Sequence, residues 1–313
     1  MAARPTRSAS RKARATEAVA TGPLGALSHD ELGVIVDGLA DPLQPVVAVA
    51  LSSTCLGLRT PLQAAIEVLK ERHARAVALC RKFGTSCAAL RDAEELEYNE
   101  GITAEDMATL GVLLSKWLPS LRQLCLIGNG FGDARVQALC EGLGPGTAPL
   151  PRLGLGDNNI GPAGAEALAA AFRRGALSKL EWLDLTDNPI GSQGMAALAT
   201  PLRNMPTLES LFLCNCEIGD EGVASLVANL GKDDFKKLED LDIEHNGITD
   251  AGMAKLLSAV NSGGVPNLSN LEAGHGNDAS PEAVYAVHGA IQRRRRRAAH
   301  ELLLEAEPEI CLR

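Results

Sequence analysis

LEWLDLTDN, residues 180–188, is the clearest of six copies of one nine-residue motif. The motif has leucine at its first and fourth positions, an aliphatic or small residue at its sixth, and asparagine at its ninth. The other copies begin at residues 121, 150, 208, 238 and 268, so the period is 28 to 30 residues. Cys216 replaces the asparagine of the fourth copy, and the sixth copy is worn, with Asn277 one place late. A fixed period of this length indicates a solenoid of stacked repeats.

Each repeat is expected to form a strand, a turn and a helix. Alternate residues of a strand point to opposite faces, so the leucines enter the core and the residues between them face out. An Ala- and Leu-rich run with helical spacing follows each motif. Asp133, Asp220 and Asp250 stand at helix starts, where free backbone N–H groups stabilise a carboxylate. The asparagine, for example Asn158, is expected to bind backbone groups at the bend after the strand.

The long period with a full helix resembles the ribonuclease-inhibitor type of leucine-rich repeat, found also in NOD-like receptors and in the GTPase-activating protein of Ran. The resemblance covers roughly residues 91–292, counting a degenerate first unit over residues 89–120. It implies an α/β solenoid of six or seven strand–helix repeats with a curved parallel sheet. Proteins with such repeats are mostly non-enzymatic binding scaffolds. The resemblance therefore implies a protein–protein interaction function and leaves the partner open.

The solenoid, predicted over residues 89–292, follows a basic tail over residues 1–22 and an all-α segment over residues 23–88. The tail is expected to be disordered, although its Arg- and Ser-rich composition also resembles a transit peptide. In the all-α segment, Ser28 and Glu31 form a capping box for a first helix, which Pro42 ends. A second apolar helix follows, and a third is predicted from about Pro61 to Phe83.

The all-α segment resembles an F-box. The residues that match its apolar skeleton are Leu27, Glu31, Leu32, Ile35, Leu39, Val49, Leu51, Cys55 and Leu58. The segment departs from the family at Ser28, where proline is usual, and at Leu58, where an aromatic residue is common. F-box modules joined to leucine-rich repeats are usually substrate receptors of cullin-type ubiquitin ligases, so the resemblance implies a Skp-type adaptor bound through Leu32, Ile35 and Leu51. The alternative is a helical cap on the first repeat, because every solenoid must shield its exposed edge.

The net charge of −9 conceals a segregation of charge along the chain. Residues 1–14 carry five basic residues and no acid, and Arg293 to Arg297 form a run of five that is predicted to close the last helix. Without these ten residues the chain has 20 basic and 39 acidic residues, a balance of −19. An acidic body disfavours nucleic-acid binding. The arginine run is interpreted as an import signal or a solvated helix end over residues 293–313.

Several classes of protein are excluded by what the sequence lacks. It has no run of eighteen apolar residues and no apolar signal segment, which argues against a membrane span and against secretion. Its eight cysteines show no regular pairing or zinc-ligand spacing, as expected of reduced thiols in a cytoplasmic or nuclear protein. It also lacks the phosphate-loop, hydrolase and metalloprotease motifs, so we expect no enzyme, cofactor or metal. The alternative is a GTPase activator of the Ran type, although that family usually ends in an acidic tail.

The outward residues of the strands predict a binding surface on the concave face. Equal offsets in neighbouring repeats place residues side by side, roughly 4.8 Å apart. Two of the nine aromatic residues, Trp182 and Phe212, fall on adjacent strands. The acids next to them are Asp184, Asp240, Asp242, Glu244 and Glu272. Aromatic residues beside charges are typical of binding hot spots, and gathered carboxylates attract a basic protein partner. The alternative is a solvated strand face.

His245 and His275 share one offset in consecutive repeats. Two neighbouring imidazoles could bind a metal or respond to pH. A third protein ligand at suitable spacing is lacking, so a surface role is the favoured interpretation.

Overall fold

A computed structural model describes residues 40–306, apart from residues 55, 99–100, 146, 148 and 232–233, and without the side chains of residues 51–62 and 301–306. The chain divides into two compact units, Met1–Arg91 and Asp92–Arg313. The predicted basic tail, the helix capped by Ser28 and the adaptor contacts Leu32 and Ile35 lie outside the described residues, as does the end of the chain after residue 306. The side chain of Leu51 is likewise not described.

The first unit is helical over its described part. Its helices are α1, Val46–Thr54, α2, Leu56–Lys82, and α3, Cys87–Asp92. The prediction that a helix begins near Pro61 was wrong, because α2 already begins at Leu56 and continues through the proline. A helix of 27 residues can tolerate the loss of the one hydrogen bond that proline cannot make. Arg91 at the end of α3 pairs with Asp41, 2.8 Å away, which ties α3 to the chain before α1.

The second unit is a solenoid of parallel strands and helices, which confirms the predicted α/β fold. Its described residues contain seven strands, which pair in sequence order: β1, Glu95–Glu97, β2, Gln123–Cys125, β3, Arg152–Gly154, β4, Trp182–Asp184, β5, Ser210–Phe212, β6, Asp240–Asp242, and β7, Asn270–Glu272. The helices are α4, Ala104–Lys116, α5, Gly132–Gly142, α6, Pro162–Arg173, α7, Gly191–Arg203, α8, Gly219–Val227, α9, Asp250–Asn261, and α10, Pro281–Ala306. The degenerate first repeat, predicted over residues 89–120, supplies β1 and α4.

The strand register is the one that the leucine spacing predicts. Leu183 on β4 lies between Leu153 on β3 and Leu211 on β5, and all three are buried. The residues on either side of each central leucine face away from this core, as alternation along a strand requires. The helices stack in a second layer, where Gly111 of α4 and Gly142 of α5 allow the two backbones to touch. We call the surface formed by the first and third residues of each strand, together with Glu244 two residues after β6, the open sheet face.

The asparagine column has the structural role predicted for it. Asn188 is buried; its amide donates to the carbonyls of Leu155, Leu185 and Thr186, and its oxygen accepts from the backbone N–H groups of Asn158 and Ile160. Each asparagine therefore bonds to the bend of the preceding repeat as well as to its own. Asn277, one place late, makes the same contacts to its preceding repeat.

The residue immediately before this column adopts a left-handed backbone conformation. In four repeats it is an aspartate, an asparagine or a histidine, the side chains that tolerate this region best: Asp157 (φ 51°), Asp187 (φ 57°), Asn215 (φ 52°) and His245 (φ 54°). In the sixth copy Gly276 (φ 63°) takes the position, because the late Asn277 shifts it by one residue. A turn requirement therefore accounts for His245, and His275 lies outside the column.

The acidic residues at helix starts stabilise the neighbouring repeat. Asp220 at the start of α8 accepts hydrogen bonds from the N–H groups of Thr249 and Gly252 and from the Thr249 hydroxyl, all at the start of α9. Asp133 accepts from the N–H of Gly161, and Asp250 from that of Ser280. We expected these carboxylates to stabilise helix starts, and they do so one repeat further along the chain.

The last helix covers the end of the solenoid. Val284, Val287 and Ile291 of α10 are buried, and Arg294 donates to the carbonyl oxygen of Leu268, 2.6 Å away. The prediction that the arginine run closes this helix was wrong, since α10 continues to Ala306. The residues after the run are mostly alanine, leucine and glutamate, which favour helix and explain its continuation.

Candidate functional site on the open sheet face

Trp182 and Phe212 form an aromatic pair across two strands of the open sheet face. Their ring centroids are 5.4 Å apart and their planes are inclined by 50°. In the strand register Trp182 lies beside Ser210, and Phe212 lies beside Asp184, so the rings meet along the diagonal between β4 and β5. This is the tilted geometry that aromatic pairs prefer. The structure thus brings together the two aromatic residues that the sequence placed on adjacent strands.

The tryptophan is held from its other side by strand β3. The guanidinium carbon of Arg152 lies 4.8 Å from the Trp182 ring centroid, a cation–π distance. At Gly154 on the same strand, a Cβ atom would make an ordinary contact with the ring at 3.6 Å but a tight one with the Ile127 side chain at 3.3 Å. As outward residues of their strands, both aromatic rings were expected to be exposed, and both are half-buried. Their packing against each other, and that of Trp182 against Arg152, explains the difference.

Three carboxylates lie close together on the side of the aromatic pair away from Arg152. Asp242, Glu244 and Glu272 each place an oxygen atom within 4.8 Å of the others. Asp242 accepts a hydrogen bond from the N–H of Glu244 at 3.0 Å, as Asp184 does from Thr186 at 2.9 Å. Burial raises the pKa of Asp242, and the charges of Glu272, Glu244 and Asp184 raise it further, against the effect of the hydrogen bond. This part of the face attracts positive charge.

Glu244 is engaged by a histidine of the next repeat. Its carboxylate oxygen lies 2.7 Å from Nδ1 of His275 and accepts the His275 backbone N–H at 3.1 Å. Burial acts to raise the pKa of Glu244, but these hydrogen bonds and the nearby imidazole charge hold it below its usual range. Carboxylate oxygens are ligands that hard cations prefer. Exposed acidic clusters are common without a bound ion. The expectation that the chain binds no metal therefore stays a prediction.

Six of the seven predicted site residues are first or third residues of the four consecutive strands β4 to β7, and the seventh, Glu244, follows β6 by two residues. Asp240 begins β6 and accepts a hydrogen bond from the Ser210 hydroxyl at 3.0 Å, so its carboxylate is tied to β5. The sequence reasoning missed Arg152, whose guanidinium group packs over the indole. Arg152 occupies the same offset as Trp182 one repeat earlier, so the sequence indicated that the two residues are neighbours. An alignment of the repeats does not show that the guanidinium group lies over the ring.

Comparison with known proteins identifies the repeats. A family model described as Leucine Rich repeat matches residues 150–169, 176–199, 204–227 and 236–257. Ribonuclease inhibitor from Sus scrofa is 36% identical over 152 residues, which are 48% of this chain and 32% of that protein. These are leucine-rich repeats of the ribonuclease-inhibitor type. The human (Homo sapiens) NACHT, LRR and PYD domains-containing protein 12 is 34% identical over 146 residues, which are 46% of this chain and 13% of that protein. The chain thus spans a third or less of these relatives.

Three solved structures are similar to the chain at low sequence identity. The tropomodulin C-terminal domain of Caenorhabditis elegans has a TM-score of 0.38 and 13% identity, covering 63% of this chain and 98% of that domain. The actin-binding site 2 of leiomodin-1 has a TM-score of 0.34 and 12% identity, covering 75% and 95%. The complex of Rad7 and Elc1 in yeast has a TM-score of 0.33 and 13% identity, covering 91% and 78%.

Leucine-rich repeats of this type are generally protein-binding scaffolds, which supports a scaffold role for this chain. Among the described helices, none has an apolar stretch that could cross a bilayer.

Proposed function

We propose that this chain is a non-enzymatic protein-interaction scaffold whose open sheet face binds a basic segment of a partner protein. The observation that carries the proposal is the contact of Trp182 and Phe212, 5.4 Å apart, beside the carboxylates of β4, β6 and β7. The proposal combines an aromatic anchor with a charged rim, the two components of most strong interfaces.

The aromatic pair supplies the anchor. Because Arg152 and Phe212 already restrain the indole, Trp182 loses little conformational freedom when a partner covers it. A half-buried ring keeps one surface for the partner, and its packing gives that surface a fixed shape. We expect an apolar or aromatic side chain of the partner to lie over β4 and β5.

The charges give the bound segment a direction. Arg152 stands on the β3 side of the aromatic pair, whereas Asp242, Glu244 and Glu272 stand on its β6 and β7 side. A basic segment is repelled at one end of this surface and attracted at the other. Lysine or arginine residues of the partner should therefore lie over β6 and β7, on one defined side of its anchor residue.

A binding experiment with matched variants tests the proposal. Arg- and Lys-rich peptides, each with and without one central aromatic residue, are titrated against the full chain, Trp182→Ala and Asp242→Lys. Trp182→Ala should weaken binding by about 30-fold, roughly 2 kcal/mol, mainly through faster dissociation. Asp242→Lys should slow association and flatten its salt dependence. Glu166→Lys, on the exposed surface of α6, makes the same charge change on the helix layer and serves as the control.

Two results would refute this assignment. Affinities that ignore both open-face substitutions would move the binding surface elsewhere. An equal loss in Glu166→Lys would show that overall charge, and no particular face, attracts the peptides.

We also infer a second candidate role, that of a substrate receptor of a cullin-type ubiquitin ligase. The observation that favours it is an apolar surface on α1, where Val46 and Val47 are 67% and 54% exposed within the segment that resembles an F-box. Co-expression with a Skp-type adaptor and gel filtration would test it, with Val46→Asp and Val47→Asp expected to abolish co-elution. Two separate peaks for the unmodified chain at micromolar concentration would leave the helical cap as the better interpretation.

The GTPase activator of the Ran type stays an alternative prediction. Its test is the rate of single-turnover GTP hydrolysis by a Ran-type GTPase with and without the full chain. An unchanged rate would remove it.

A further inference from the structure

Two cysteines of the first unit lie side by side across a turn. Cys80 is in the last turn of α2 and Cys87 is the first residue of α3. The sulphur atoms of these free thiols are 3.5 Å apart, with Cys80 donating to Cys87. Cys80 is buried, with 2% of its surface exposed, whereas Cys87 is half-buried. The unequal exposure makes Cys87 the thiol that a reagent from solution meets first.

The geometry points to Cys80 and Cys87 as a reversible disulfide site that is oxidised by a low-molecular-weight disulfide such as oxidised glutathione. A bonded pair of sulphur atoms is about 2 Å apart, so closure requires a shortening of roughly 1.5 Å. Rotation of the two side chains can supply a movement of this size. Gly84, in the turn between the helices, has a φ of +62° and no neighbouring atom within 4 Å of a Cβ built on it, so the turn itself has room to adjust.

The turn that joins the two helices is already organised. The N–H of Thr85 donates to the carbonyl oxygen of Cys80 at 2.9 Å, and the Ser86 hydroxyl accepts from the N–H of Ala89 at 3.1 Å. These bonds fix the end of α2 and the start of α3 around the two thiols. Little further ordering is needed to bring the sulphur atoms together, which favours the intramolecular bond over a bond to a second molecule.

The exchange proceeds in two balanced steps. The Cys87 thiolate attacks one sulphur of oxidised glutathione, and the released glutathione thiolate takes up a proton. The Cys80 sulphur then attacks the Cys87 sulphur of the mixed disulfide, and the second glutathione leaves with the proton of Cys80. Two electrons and both thiol hydrogens thus pass to two molecules of glutathione. Burial raises the pKa of Cys80 to about 12, and its hydrogen bond to Cys87 acts in the same direction, so Cys80 keeps its proton until the second step.

The bond would reinforce an existing connection within the first unit. Arg91, the fifth residue of α3, pairs with Asp41 at 2.8 Å and donates to Gln44 at 2.9 Å. The start of α3 would be joined to α2 by the disulfide, while its end is joined to the segment before α1. Oxidation would therefore hold both ends of this short helix.

Peptide mapping provides a direct test in the full chain. Trypsin cleaves after Arg75, Arg81, Lys82 and Arg91, so Cys80 is released in residues 76–81 and Cys87 in residues 83–91. The chain is equilibrated with glutathione at a series of reduced-to-oxidised ratios, free thiols are alkylated, and the digest is analysed without reduction. We expect a disulfide-linked pair of these two peptides that disappears on reduction, at ratios where Cys125 and Cys214 are still alkylated.

Serine variants separate the two steps. Cys80→Ser should stop at a mixed disulfide of Cys87 with glutathione, whereas Cys87→Ser should leave Cys80 unmodified. If a serine variant does not fold, the map of the unmodified chain decides alone. A map in which Cys87 carries glutathione while Cys80 remains alkylated would overturn the proposal, and so would a map in which both cysteines stay reduced while Cys125 is oxidised.

Discussion

Substituting cysteine for Asn188 and asparagine for Cys216 measures how much the asparagine column stabilises the solenoid. The Asn188 side chain takes part in five hydrogen bonds with backbone groups, at 2.8 to 3.1 Å. Cys216, its equivalent in the next repeat, has contacts from Sγ to the carbonyls of Leu185 and Cys214, at 3.1 and 3.5 Å. The N–H of Ile190, deprived of an asparagine oxygen, bonds instead to the carbonyl of Asn188 at 2.7 Å.

The expected magnitude follows from this difference. Asn188→Cys replaces five hydrogen bonds by the two contacts that a cysteine makes at the equivalent position, a net loss of about three. Each hydrogen bond has a net value of roughly 0.5–1.5 kcal/mol, so the substitution should lower the free energy of unfolding by about 3 kcal/mol. Cys216→Asn should raise it by about 1 kcal/mol, a smaller effect because Ile190 already has a partner and the larger amide must be desolvated. The two substitutions should therefore act in opposite directions.

Urea unfolding followed by circular dichroism, under reducing conditions, measures both effects. Asn270→Cys is the matched control, because it makes the same chemical change at an exposed position of β7. An Asn188→Cys variant within about 0.5 kcal/mol of the control would refute the role of the asparagine column. A Cys216→Asn variant that is less stable than the unmodified chain would show that the fourth repeat has adapted its packing to cysteine.

Three further substitutions test the core, the helix layer and the contacts between repeats. Leu183→Ala should lower the free energy of unfolding by about 2–5 kcal/mol, since the leucine is fully buried; an unchanged urea midpoint would mean that the register of β4 is wrong. Gly111→Ala places a Cβ atom within clashing distance of the Leu139 carbonyl oxygen and should lower the melting temperature by several degrees, which calorimetry would detect. Asp220→Asn should cost roughly 1–2 kcal/mol at neutral pH. Burial acts to raise the pKa of Asp220, but the hydrogen bonds from Thr249 and Gly252 hold it below its usual range. The stabilisation is therefore complete above the pKa of the unfolded chain and is lost as pH falls through the lower folded value. The gap between Asp220→Asn and the unmodified chain should close in acid, and a gap that is independent of pH would contradict this assignment.

The strands were predictable from the sequence because leucine spacing determines both their position and their register. Leu183 and its equivalents could be aligned by counting, and the alignment gave the neighbours of Trp182 directly. Contacts that depend on the direction of a side chain could not be predicted from the leucine spacing. The position of Asp220 at a helix start was visible, but its partner, Thr249, is 29 residues away and becomes a neighbour only when the repeats stack.

The half-buried state of the aromatic pair was unpredictable for a related reason. A column of outward residues indicates that Trp182 and Phe212 leave the core, but it does not show that the two rings pack against each other or that Trp182 packs against Arg152. Cys80 and Cys87 were also missed as a pair, because seven residues of sequence separation place two thiols together only when a turn reverses the chain between them.

The asparagine column affects the order in which the repeats can fold during synthesis. The bend N–H groups of one repeat are satisfied by an asparagine 28 to 30 residues later, so a repeat that has just left the ribosome is unfinished until the next one follows it. We therefore expect synthesis to run about one repeat ahead of folding wherever the next repeat carries the asparagine. The bend at Asn188 is the exception, because the N–H of Ile190 bonds within its own repeat. At the last described strand, the backbone is contacted by a helix instead of by a further strand. His288 of α10 lies 2.9 Å from the carbonyl oxygen of Leu271, and Arg294 of α10 donates to that of Leu268, so side chains of this helix bond where the preceding repeats use the strand that follows them.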